Sequence, residues 1–387
     1  MDKVATQVPF VDLKAQYACL RDEMNAAVLR VMESAHFVGG SVLEKFEHDF
    51  ADFVGAQFCV GVANGTDAIT LAARAAGLGP GDEVLVPANS FFATAEAISN
   101  VGANPVFVDV DPVTFHMDAI CAEKAITNRT KAIIPVHLYG RAMDIDPFET
   151  MASRNGLVII EDCAQAHGAS IHGNTVGTSG RLTCFSFYPG KNLGAYGDGG
   201  AVTTNDPQLM GRLRILREHG SPVKYEHNVI GWNSRLDALQ AAVLSVKLPH
   251  MHRWNDARRK HARVLAAALQ GSSIVPPAIP DGSQHVFHLF VVRCSLRDEL
   301  KLFLEQKGIQ TGIHYPVPLH LTTAYRDLGS PGAGSCPVSE TLAAEILSLP
   351  MYPELTEAQL EYTVAALREF VDIVSPPMPV DFALARV

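Results

Sequence analysis

Apolar residues recur at helical spacing near the start of the chain, and then give way to short apolar runs alternating with helical stretches. Leu20, Met24, Val28 and Val31 lie three or four residues apart within a helix predicted from about Leu13 to Ser34, and a second helix is predicted from Val42 to Phe53. Buried-strand patterns follow at Val60–Ala63, Glu83–Val86, Pro105–Val108, Lys131–Val136, Leu157–Ile160, Leu182–Phe187 and Gly200–Thr204, with an amphipathic helix at Ala68–Leu78 after the first. Alternating strands and helices predict an α/β fold with a mostly parallel sheet covered on both faces. A long helix from about Arg235 to Leu269 is expected to lead into a smaller unit, with a strand-like run Val286–Val292 and a helix near Leu296–Lys307. A chain of 387 residues exceeds one ordinary core, so two domains are expected, 1–245 and 246–387. The tail Pro376-Pro377-Met378-Pro379 reads as a loose end.

Composition narrows the class of protein. The hydrophobic share of 48% is that of a globular chain, and no apolar run approaches a membrane span. Met1–Gln7 lacks the charged and apolar regions of a signal peptide. Seven cysteines, an odd number with no C-x-x-C pair, suggest reduced thiols and a cytoplasmic protein. A net charge of −10 gives no electrostatic footprint for nucleic acid.

Three places along the chain carry candidate chemistry. The strand ending at Phe187 runs into Tyr188-Pro189-Gly190-Lys191, followed by the glycine-rich stretch Gly194–Gly200. A lysine delivered from a strand end into a glycine-lined space is placed to form a Schiff base with an aldehyde cofactor. The strand Leu157–Ile160 ends in Glu161-Asp162, and ligands of α/β sheets bind outside the carboxyl ends of strands. Asp162 is therefore either the partner of a protonated pyridine nitrogen or the N-cap of a short helix. Finally, Asn64-Gly65-Thr66-Asp67 opens a helix, and a helix N-terminus suits a phosphate. It is neither a Walker loop nor a Gly-x-Gly-x-x-Gly turn. The spacing of His167, His314 and His320 fits no zinc pattern, so no metal is expected.

The runs Asn64–Ala68, Glu161–Gly168, Ser186–Gly194 and Gly231–Ala242 resemble, in this order, motifs of the DegT/DnrJ/EryC1/StrS aminotransferases. The similarity extends from Val8 to Pro353. It implies the fold type I architecture of aspartate aminotransferase: a large domain with a mostly parallel seven-stranded sheet flanked by helices, and a smaller α+β C-terminal domain. It also implies pyridoxal 5'-phosphate as cofactor, with Lys191 as the Schiff-base lysine and proton carrier. Asp162 would pair with the pyridine nitrogen, Gln165 with the phenolic oxygen, and Phe91 would stack on the ring. Gly65, Thr66, Asp67 and Ser186 would hold the phosphate. Asn233 would reach the phosphate of a neighbouring subunit, which makes the protein a homodimer with shared sites.

The resemblance extends to the reaction. An amino group would pass from L-glutamate, by way of pyridoxamine phosphate, to a dTDP- or UDP-linked keto sugar. His314 and Tyr315 are substrate-pocket candidates, and Arg235 either binds the donor carboxylate or pairs with Asp237. The loop Thr311–Leu321 resembles that of members acting at C3 more than at C4 of the sugar. One subfamily has histidine in place of the lysine and dehydrates sugars; Lys191 argues against that chemistry. Two alternatives remain, an aminotransferase for a keto-cyclitol or other carbonyl and a non-enzymatic regulator that retained the fold. Lys191, Asp162 and Gln165 together speak against the regulator.

Overall fold

The computed structural model describes residues 7–178, 181–279 and 282–374, so the proline-rich tail and nearly all of Met1–Gln7 lie outside the described residues. The chain opens with α1 (Leu13–Ser34) and α2 (Ser41–Val54), followed by β1 (Phe58–Val62), α3 (Gly65–Ala75), β2 (Glu83–Pro87), α4 (Ala93–Asn100), β3 (Asn104–Val108), α5 (Ala119–Ala125), β4 (Thr130–Ile133), α6 (Asp146–Asn155) and β5 (Val158–Asp162). A small ribbon, β6 (Ser170–Ile171) and β7 (Asn174–Thr175), precedes β8 (Leu182–Ser186), β9 (Gly200–Thr204) and α7 (Pro207–Arg217). Then come α8 (Ala238–Lys247), α9 (Met251–Leu269), β10 (Ser283–Gln284), β11 (Phe290–Arg293), α10 (Arg297–Gln306), α11 (Thr323–Asp327), α12 (Pro337–Glu345), β12 (Ile346–Leu349) and α13 (Glu357–Val374).

The main sheet has seven strands in the order β1-β9-β8-β5-β4-β2-β3, and only β9 runs against its neighbours. Reversing one strand leaves the ends of β1, β8, β5 and β2 on one edge, where a ligand crevice forms. The strands are buried on both faces and read as continuous apolar runs for that reason. A separate apolar core joins Val8 to the second half of α9, β11, α10, β12 and α13.

Most predicted elements form within a few residues of their expected bounds, and the differences have local causes. The inward face of α1 is Gln16, Leu20, Met24, Ala27 and Val31, so Ala27 takes the buried place expected for Val28. The long helix predicted from Arg235 is two helices separated by the 3₁₀ turn Leu248–His250. Pro249 supplies the break, since it has no amide hydrogen and its ring crowds the carbonyl of the preceding turn. The run Val286–Val292 becomes a strand only from Phe290. Before that its amides turn to another partner: Val286 N donates to Gly140 O (2.8 Å) and Leu289 N to Tyr139 O (3.2 Å). The run from Lys131 is regular strand to Ile133; beyond it Ile134 N still donates to Leu85 O (2.8 Å) and Pro135, with no donor of its own, accepts from Asp162 N (2.9 Å).

Two devices hold the crevice edge of the sheet in place. Phe50 of α2 meets Phe185 and Phe187 edge-on, with ring centroids 5.0 and 5.2 Å apart, and so clamps β8 just before the Lys191 turn. Glu47, one turn earlier on α2 and buried, accepts from Gly61 N (2.8 Å) and from Arg217 Nη1 (2.5 Å). Arg217 Nη1 also donates to Gly61 O (2.8 Å), so one ion pair ties α2, β1 and α7 together. Glu47→Ala leaves a buried guanidinium and a strand amide without their acceptor. The expected loss is about 3–5 kcal/mol in urea unfolding. A loss below about 1 kcal/mol would show that the pair carries no structural weight.

Candidate active site

The crevice at the strand ends is a cavity of about 650 Å³, within the roughly 300–1,000 Å³ usual for small-molecule sites. Its lining brings together Gly65, Thr66, Phe91, Asp162, Gln165, Ser186, Lys191, His314 and Tyr315, which lie far apart in sequence. Asn233, Arg235 and Asp67 are not in that lining.

Asp162 ends β5 and is 6% exposed. Its Oδ2 accepts from Thr94 Oγ1 (2.8 Å), whose own oxygen meets Ser90 Oγ at 2.8 Å, and its Oδ1 accepts from Ala164 N (3.1 Å). No helix follows it, since Cys163–Gly168 runs as tight turns, and the N-cap reading falls away. Lys191 is half-buried in the turn after β8, with its backbone amide bonded to Tyr188 O (2.8 Å). Burial lowers its pKa from 10.5 to about 8, against the opposing pull of the Asp162 charge. At pH 7 about one amine in ten is then the free base, compared with roughly one in several thousand for an ordinary lysine.

At the other end of the cavity Asn64 caps α3, its Oδ1 accepting from Asp67 N (2.8 Å). The Asp67 amide is thereby used, and the amides of Gly65 and Thr66 belong to the first turn, which has no intrahelical acceptors. Gly65 is required by proximity, because a Cβ there would stand 2.6 Å from Ser186 Cβ. The helix end and the Ser186 hydroxyl side of β8 therefore share a close-fitting concave corner suited to a phosphate.

Gln165 is an inward amide, not a surface one: Oε1 accepts from Tyr139 N (2.7 Å) and Nε2 donates to Tyr315 Oη (3.0 Å). Tyr139 Oη donates to His314 O. Burial raises the Tyr315 phenol well above its usual range. His314 stacks on Phe10 with centroids 5.6 Å apart, and its Nδ1 meets Ser348 Oγ at 2.8 Å. Burial, then the Lys191 charge, pushes it down to about 4, so it is neutral at pH 7. Phe91 is 54% exposed, at the cavity wall and not in the core, with its ring centroid 5.5 Å from that of Tyr315. Asn233 is exposed, and Arg235 Nη1 pairs with Glu218 Oε2 at 3.0 Å, not with Asp237.

Several site residues are absent from the sequence reading. Thr94 and Ser90 orient Asp162. His288 lines the cavity with a buried Nδ1 that has no partner, and burial followed by the Lys191 charge holds it neutral. The sequence signal for Thr94 was its place four residues after Ser90, one helical turn on. Nothing local marks His288. Away from the cavity, His137, Glu161 and Cys163 cluster closely enough to suggest a metal. Both ring nitrogens of His137 are already engaged, Nδ1 by Met143 N (2.9 Å) and Nε2 by Glu161 Oε2 (3.1 Å), so the group is a hydrogen-bonded core pair.

A desolvated lysine sharing one cavity with a strand-end carboxylate, on this sheet order, marks the chain as an aminotransferase of fold type I. The chain belongs to the DegT/DnrJ/EryC1/StrS aminotransferase family, whose model matches residues 18–368. It is 50% identical over 366 residues to a pleiotropic regulatory protein of Geobacillus stearothermophilus, covering 94% of this chain and 98% of that one. It is 47% identical over 372 residues to a dTDP-3-amino-3,4,6-trideoxy-α-D-glucose transaminase of Streptomyces venezuelae, covering 95% and 97%. The solved structure of S. venezuelae DesV in complex with a ketimine intermediate superposes with a TM-score of 0.93 at 46% identity, over 95% of this chain and 99% of that one.

The low pKa of Lys191 has a direct consequence. Capture of added pyridoxal phosphate, trapped with borohydride and located by peptide mapping, should fall on Lys191 and rise with a midpoint near pH 8. A midpoint near 10 would contradict the desolvated amine. Thr94→Val, which strips a donor from Asp162, should weaken cofactor retention in equilibrium dialysis by about 5- to 30-fold, the equivalent of about 1–2 kcal/mol.

Proposed function

We propose that the protein is a pyridoxal-phosphate-dependent aminotransferase moving an amino group from L-glutamate to a nucleotide-linked keto sugar. The sugar is dTDP- or UDP-linked and is aminated at C3 in preference to C4. The observation that carries this reading is the joint placement of Lys191 and Asp162 in one cavity whose far end is a capped helix N-terminus. Pyridoxal phosphate, when bound there, supplies the aldehyde that exchanges amino groups and the ring that holds the electron pair left when a carbon loses its proton. The residues fit that group: the corner at Gly65, Thr66 and Ser186 suits the phosphate, and Phe91 offers a ring face at the wall.

The chain's own groups divide the work. Asp162, aimed by Thr94, accepts a hydrogen bond from a protonated ring nitrogen and keeps the proton there. Lys191 alternates between charged and free forms near neutral pH, so its Nζ can lift the proton from the donor carbon and return it to the acceptor side. Gln165 and Tyr139 fix Tyr315 and His314 over the cavity, where two side chains without charge at neutral pH meet the substrate.

A homodimer with shared sites completes the reading. Tyr225 and Ile230 are 83% and 87% exposed, and with Val223 and Val229 they form an apolar strip beside Asn233. Such a strip is suited to burial against a second copy, and an exposed Asn233 outside its own chain's cavity is free to serve another's. Seven unpaired cysteines support a cytoplasmic setting, and no described helix is long and apolar enough to cross a membrane.

The test begins with the holoenzyme converted by L-glutamate to its amino form, followed by dTDP- and UDP-linked 3-keto sugars. Return of the visible band with a 3-keto sugar supports the reading, and return only with 4-keto sugars or a keto-cyclitol moves the substrate assignment. No half-reaction with L-glutamate in a protein that binds the cofactor would move the donor assignment to another amino acid. Lys191→Ala should keep the phosphate contacts and lose turnover by at least about 10³-fold, as removal of a proton carrier requires. Asn233→Ala should release cofactor from dimers.

A further inference from the structure

Helices α8 and α9 present a row of polar side chains to the loop that follows Lys191. Gln240 Oε1 accepts from Tyr196 N at 2.8 Å. Lys247 Nζ donates to Gly194 O at 2.7 Å. Asn255 Oδ1 accepts from Asn192 Nδ2 at 2.9 Å, and its own Nδ2 donates to His167 O at 2.9 Å. All three side chains grip residues 192–196, within five positions of the Schiff-base lysine.

Of the three, Lys247 is the one that stability alone does not account for. Its side chain is wholly buried, and its ammonium has Gly194 O as acceptor and the face of Tyr196 at 4.3 Å. Tyr17 stands behind Tyr196, edge-on at 6.2 Å. Glu354 is the carboxylate whose charge acts on it, and burial outweighs that charge. A methionine would fill much the same volume without removing a charge from water, and replacing buried charges by apolar groups is often neutral or stabilising. What methionine cannot do is bind a carbonyl. The Gly194 carbonyl lies between Leu193 and Ala195, both buried in the core, in a segment that is glycine at 194, 197, 199 and 200. Those neighbours and the bond from Ala195 N to Phe187 O (2.8 Å) anchor the segment, and Lys247 Nζ is the donor that meets the glycine carbonyl between them.

We propose that Lys247 is a positioning residue for the active site: by fixing the Gly194 carbonyl and the Tyr196 ring it sets the backbone from which Lys191 meets the cofactor. The inference rests on the proposed function in one respect, that Lys191 takes up pyridoxal phosphate.

The test compares Lys247→Met and Lys247→Arg with the wild-type full chain. In the protein without added cofactor, amide hydrogen exchange at 192–197 should speed up about tenfold or more in Lys247→Met, while α3 and β5 keep their protection. With pyridoxal phosphate bound, the pH midpoint of the visible band should move by about half a unit or more in Lys247→Met. It should return toward the wild-type value in Lys247→Arg, which keeps a charged donor. A purely structural role would lower the melting temperature and leave this midpoint where it was. Unchanged loop exchange and an unchanged midpoint in folded Lys247→Met overturn the proposal. Should Lys247→Met fail to fold, Lys247→Arg decides: retained loop protection supports the proposal, and lost protection in a folded Arg variant overturns it. Failure of the wild type to form a visible band would sink the cofactor reading, whereas the positioning role would still be judged by the exchange result.

Discussion

Asp162 and Lys191 act on each other through a poorly solvated space, and much of the surrounding structure serves that relation. Burial favours the neutral amine, the carboxylate favours the charged one, and the balance leaves the lysine at about 8. The balance depends on both groups being held. Asp162 is fixed on one side by the strand ladder of β5 against β8 and on the other by Thr94 of α4. The turn that carries Lys191 follows β8, which the Phe50, Phe185 and Phe187 cluster holds, and the residues after it bond to Lys247 and Asn255 of α8 and α9. A parallel sheet places such groups side by side because neighbouring strands deliver their ends to the same edge.

The neutral histidines extend the same logic. His314 and His288 both face an environment in which a second positive charge would stand near Lys191, and both are driven toward the uncharged form. The cavity therefore offers an acidic partner at one end, helix amides at the other, and neutral hydrogen-bonding groups between them.

How much of this was legible in the sequence depended on whether the signal was local. Strand-end positions such as Asp162 and Lys191 were readable because apolar runs stop at them, and the Asn64-Gly65-Thr66 turn was readable as a helix start. Sheet order and the reversed β9 were not, since nothing in Gly200–Thr204 states its direction. Thr94 carried no signal beyond its place one helical turn after Ser90, because its role requires α4 to lie against the end of β5. His288 was hidden more thoroughly: the run around it looks like a strand, and only the backbone bonds to Tyr139 and Gly140 turn it toward the cavity. Pro249 did carry its signal, a proline inside a helical pattern, which marks a break between α8 and α9. Arg235 had two candidate partners in view, and the ion pair formed with a third, Glu218, brought alongside by chain folding.

The cavity wall has a divided origin. Residues between Asn64 and Asp198 supply the lysine, the carboxylate and the helix end, while His288, Leu289, His314, Tyr315, Leu349 and Met351 arrive from the last third of the chain. Leu349 and Met351 of the second group pack in the separate apolar core, and Leu289 packs in the main one. Substitutions that reshape this part of the wall can therefore accumulate in one part of the gene, tied to the other part at the bonds from Tyr139 to His314 and from Gln165 to Tyr315. Descendants of such a chain inherit the reaction intact and diverge in what they accept, so a new substrate requires changes at a few wall positions and no reinvention of the chemistry.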